Sequence, residues 1–124
     1  MTPEATLHAF LSGLGMPAYP QAAVPDGAEL PYLTYPLTVG DWDEGEVNIP
    51  ITMWFRTTSE AIPNAAVRTV KEAVPRGGVM VPCDGGVLWV KRGSPFAQAL
   101  LVEGDEEGMK RRYVNLDVEY LIPE

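Results

Sequence analysis

Pro25-Asp26-Gly27-Ala28-Glu29-Leu30-Pro31-Tyr32-Leu33-Thr34-Tyr35 is the stretch on which the fold turns. Pro fixes φ and Gly accepts positive φ at little cost, so Pro25-Asp26-Gly27 makes a tight turn. A residue before proline is pushed out of the helical region, so Leu30-Pro31 leads into extended chain. Tyr32-Leu33-Thr34-Tyr35 then has the β-branched and aromatic composition of a strand. None of its residues is an obvious nucleophile, metal ligand or phosphate cradle. The stretch is architecture.

Working outward, Thr2 suits an N-cap with Pro3 at the first helical position. Leu7, Phe10, Leu11 and Leu14 follow at helical spacing, with Gly15 as the stop and Pro17 barring continuation. Pro17, Pro20, Pro25 and Pro31 mark an ordered loop or extended arm. The first strand is expected over residues 32–39, and Pro36 places it at an edge or a bulge. The second, residues 47–56, alternates strictly, with Val47, Ile49, Ile51, Met53 and Phe55 on one side. A second helix is expected over about residues 59–74, with Ile62, Ala66, Val70, Ala73 and Val74 facing the core. Pro63 belongs in its first turn or at a kink, because an interior proline costs about 3 kcal/mol.

Residues 79–81 and 87–90 flank Pro82-Cys83-Asp84-Gly85-Gly86 as a hairpin. Ser94-Pro95 is expected to begin a loop or short helical turn through Leu101. A last strand, residues 112–122, places Val114, Leu116, Val118, Tyr120 and Ile122 on one side. The order α, β, β, α, β, β, β predicts a single α+β domain over residues 1–124. Its sheet is mainly antiparallel, of about five strands, with two helices packed on one face.

The chain has 124 residues, enough for one core, and 46% of them are hydrophobic. No apolar run approaches the roughly 20 residues needed to span a bilayer, and no membrane role is expected. No signal peptide is visible, and a single cysteine, Cys83, fits a reducing compartment. Seventeen acidic residues against nine basic give a net charge of −8, which repels phosphate backbones.

His8, the only histidine, lies at the edge of the first apolar stripe with no nucleophile tied to it by motif. Cys83 sits beside Asp84, the wrong neighbour for a reactive thiolate. Asp41, Asp43, Glu44 and Glu46 form one acidic loop; Glu103, Asp105, Glu106 and Glu107 form another. Neither has the twelve-residue spacing of a calcium loop, so solvated loops are expected. The turns at 75–78 and 84–86 lack the lysine of a phosphate loop and the dinucleotide fingerprint. Lys110, Arg111 and Arg112 make the one basic cluster, suited to meeting an acidic loop of a neighbouring subunit. Trp42 and Trp54, in a loop and on a strand's polar face, suit interface anchors. No catalytic residue, metal or cofactor is expected, and the chain reads as a non-enzyme.

Three segments, in order, resemble the tail terminator (tail completion) proteins of long-tailed bacteriophages. They are Pro25-Asp26-Gly27 through Leu30-Pro31-Tyr32-Leu33-Thr34-Tyr35; Ile51-Thr52-Met53-Trp54-Phe55 with Ser59-Glu60-Ala61; and Arg92-Gly93-Ser94-Pro95-Phe96-Ala97-Gln98 followed by Lys110-Arg111-Arg112-Tyr113-Val114-Asn115-Leu116. The resemblance implies a protomer that forms a ring, commonly a hexamer, on the last ring of the tail tube. Such a ring ends tube polymerisation and meets a head-completion or connector protein. It implies a virion component assembled in the host cytoplasm, with DNA passing through unbound. Acidic residues at 41–46 and 103–107 would then face the lumen. The rival readings are another neck component (head-closure or head–tail adaptor), a minor tail protein, or a small ligand- or metal-binding domain.

Overall fold

The computed structural model describes residues 1–37, 42, 45–100 and 108–123. Helix α1 (Pro3–Ser12) starts where Thr2 caps it, the hydroxyl accepting from the Ala5 amide at 3.1 Å. It ends earlier than expected. Gly13 is the cap, its amide bonded to Phe10 O, and Gly15 (φ +95°) turns the chain afterwards. Strand β1 (Ala18–Pro20) was not anticipated; it precedes a 3₁₀ turn over Gln21–Ala23 and then β2 (Tyr32–Tyr35). Strand β3 (Glu46–Arg56), α2 (Ala61–Ala73), β4 (Val79–Cys83), β5 (Gly86–Leu100) and β6 (Met109–Leu121) complete the order.

Among the described residues six strands, not five, form one sheet in the order β1-β2-β3-β6-β5-β4. Only β1 and β2 run parallel; every other pair is antiparallel. The α+β class therefore holds, with a mixed, mostly antiparallel sheet. Strand β2 is not at the edge, since β1 covers its other side. Pro36 falls just beyond it rather than within it. Pro50 is tolerated in long β3 because β2 reaches only Thr52–Trp54, so no ladder bond on that side needs its missing N–H.

One face of the ladder carries the core. Leu33, Ile49, Ile51, Met53, Leu88, Val90, Val114, Leu116 and Val118 are all fully buried there. Leu7 and Leu11 of α1, and Val70 together with Val74 just past α2, join the same cluster. Ile62, expected inside, is 54% exposed, and Pro63 of the first turn is buried instead. Helix α1 touches β5 and both outermost strands, β1 and β4, so the sheet curls around it.

The largest departure from expectation is β5. Residues 94–100 are strand, not a loop or helical turn. The register moves from Arg92↔Leu116 to Ala97↔Val114, so residues 93–96 stand opposite Asn115 alone. This bulge houses the breakers Gly93 and Pro95, which therefore do not end the strand. Asn115 Nδ2 donates to Pro95 O at 3.0 Å across it. A Cβ on Gly93 would lie 2.7 Å from Asn115 Cβ, so only glycine fits the close approach. Among the described residues no helix is long and apolar enough to cross a membrane.

Candidate functional site

The sheet's outer face carries an aromatic stripe. Alternation places Tyr19 of β1, Tyr32 of β2, Trp54 of β3 and Arg111 of β6 on that face, in neighbouring register. Tyr19 and Tyr32 meet edge to face, with centroids 5.7 Å apart and planes at 79°. Tyr32 and Trp54 lie 6.5 Å apart, and the Arg111 guanidinium sits 4.5 Å from the Trp54 centroid. Trp54 Nε1 donates to Thr34 Oγ1 at 3.1 Å, which fixes the indole in place. A hollow lined by Leu30, Tyr32, Trp54, Arg56 and Met109 opens beside the stripe. Rigid aromatics flanked by arginine are the residue types that anchor protein contacts.

At the other end of this face, Lys91 bridges Glu46 and Glu119, and its ammonium lies 4.1 Å above the Trp89 ring. The hydrogen bond that Lys91 donates to Glu46 leads the effects that raise the lysine's pKa above its ordinary value. Glu46, expected to face a lumen, is thus engaged within the protomer.

The expected interface residues separate. Trp54 lies half-buried on the outer face. Trp42 is only 6% exposed; it packs in the core and donates from Nε1 to Glu4 Oε1 at 2.9 Å. Its indole is structural, and the expectation that it is a surface anchor is corrected. Arg112 is 7% exposed and joins β6 to the start of α2, pairing with Glu60 and with Asn64 Oδ1 at 3.2 Å. Lys110 Nζ meets the other Glu60 oxygen at 2.6 Å. Two members of the basic cluster therefore answer a carboxylate of their own chain. Asp41, Asp43, Glu44, Glu103, Asp105, Glu106 and Glu107 lie outside the described residues.

The remaining reactive groups have structural surroundings. His8 Nδ1 is 2.8 Å from the Tyr35 hydroxyl, whose pKa burial raises. Burial, and then Asp84, push the Cys83 thiol up, away from the reactive thiolate. Among the described residues no three His, Cys, Asp or Glu side chains converge as a metal site.

A second surface, unforeseen, runs between α2 and the far half of β5. This open groove of about 830 Å³ is lined by Val67, Arg68, Lys71, Arg92, Ala97 and Ala99, among others. Arg92 crosses its wall, donating from Nε to Val74 O at 2.6 Å and from Nη2 to Lys71 O at 2.9 Å. Those carbonyls end α2, so the guanidinium answers the negative end of the helix dipole. Strand β4 pairs only with Gly86–Val90, so among the described residues no strand pairs with residues 91–100 opposite β6. No known family's sequence profile matches this chain, and a search of curated proteins finds no relative.

Proposed function

We propose that this chain is a structural subunit of a long-tailed bacteriophage, a tail terminator that assembles as a ring, commonly a hexamer, at the head-proximal end of the tail tube. There it ends tube polymerisation and forms the surface on which the head-completion protein docks. The role is structural rather than catalytic. DNA passes through the ring without specific binding, an arrangement that a net charge of −8 favours.

The observation that carries this reading is the outer-face stripe Tyr19–Tyr32–Trp54–Arg111, a pre-set contact platform on a small acidic protomer. Three of its four residues come from segments that resemble the phage family, beginning with Tyr32 from the first and Trp54 from the second. Arg111 belongs to the third. The side chains are held by neighbours already, so little rotamer freedom is lost when a partner covers them.

The test is electron microscopy of lysates from phage lacking this protein. Abnormally long tails, or heads and tails left unjoined, are expected; normal virions would overturn the reading. In the purified protein, Tyr32→Ala with Trp54→Ala should leave the folded spectrum intact and weaken ring formation in sedimentation.

A further inference from the structure

Sheet edges that could recruit another chain are usually blunted by proline, charge or shortness. The outermost strands follow that rule. β1 has three residues and ends in Pro20, and β4 carries Pro82. The overhang of β5 does not. Along Ala97-Gln98-Ala99-Leu100, the edge opposite β6 has no strand partner among the described residues, and it carries no proline and no charge.

The groove beside this edge is positive on a negative protein. Arg68 and Lys71 project from the exposed face of α2, and neither has an ion-pair partner among the described residues. Arg92 is bonded to neutral carbonyls, and among the described residues no carboxylate pairs with it. Glu72 is the one acid in the lining, while Arg112 is answered by Glu60. Small Ala97 and Ala99 leave the floor open. The densest acidic run in the chain is 103–107, where Glu103, Asp105, Glu106 and Glu107 fall within five residues.

We infer that the α2–β5 groove receives a second copy of this chain, whose acidic run 103–107 meets Arg68, Lys71 and Arg92. The inference rests on the ring reading and deepens it. The contact joins two different patches, and such heterologous contacts close into rings when the rotation allows.

Reversed charges test this directly. One variant carries Arg68→Glu and Lys71→Glu; the other carries Glu103→Lys, Asp105→Lys and Glu106→Lys. Each alone should associate roughly tenfold more weakly than the parent, since several exposed pairs of modest strength are lost together. Mixed in equal amounts, the two variants offer each other complementary patches at every contact, and association should recover. Recovery on mixing also distinguishes contact between copies from contact within one chain, which mixing cannot restore. Two variants that each assemble like the parent, or a mixture that fails to recover, would overturn the groove assignment while leaving the ring reading in place. A parent that stays monomeric at high concentration, and with tail tube protein present, would end both. Should reversal at α2 disturb folding, Arg68→Gln with Lys71→Gln gives the same comparison, with weakened association again expected. Amide exchange over 91–100 should also slow in the assembled parent, and unchanged exchange there would count against the edge as the seat.

Discussion

Glu60 serves two cations at once. Its carboxyl is held below the ordinary value of 4.5, first by the hydrogen bond from Lys110 and then by that from Arg112. Because the folded pKa is lowered, the stabilisation is fully present above the ordinary carboxylate value and disappears as pH falls through the folded one. Glu60→Gln should therefore lower Tm at neutral pH, and the gap to the parent should close well below pH 4.5 in thermal scans. Trp42 offers a contrast in kind. A buried indole bonded to Glu4 belongs to the monomer's stability, so Trp42→Ala should cost about 3–5 kcal/mol in denaturant unfolding. Trp54→Ala should cost the free protomer less and its assembly more. Nothing in the local sequence separates the two tryptophans. What differs is which side of the sheet each meets, and that is set by residues far away in the chain.

At the level of elements, legibility followed periodicity. Strand β3 was readable almost to its ends because alternation ran unbroken for ten residues, and α2 because Val70 and Val74 repeat at helical spacing. Strand β1 was hidden by its brevity and its proline; only its parallel partner β2 makes it a strand. The far half of β5 was hidden by Gly93-Ser94-Pro95, which reads locally as a stop. Its continuation depends on Asn115, which lies on another strand. Gly93→Ala should crowd that residue and destabilise by about 1–3 kcal/mol, measurable as a shift in the unfolding midpoint. A cavity in the central strand should be costlier. Leu116→Ala, at a fully buried position, is expected to lose about 2–5 kcal/mol.

For the whole molecule, the class was written in the order of periodic segments, but strand order was not, since pairing across the sheet is non-local. The candidate surfaces were only half legible for the same reason. Trp54 and Arg111 could be named, but Tyr19 and Tyr32 join them only once β1 and β2 are known to lie alongside. The groove needed β4 to be shorter than β5, a mismatch that no single segment reveals. The pairing of Lys110 and Arg112 with Glu60 is not visible locally, because Glu60 lies fifty-two residues from Arg112. The bulge between β5 and β6 has a last consequence. A regular antiparallel pair can slip by two residues and keep every side chain on its proper face. Here four residues facing one act like a key in its slot, so β5 and β6 have a single alignment. A chain built this way can pass a pull along its longest strand to the strand beside it without the two sliding past each other.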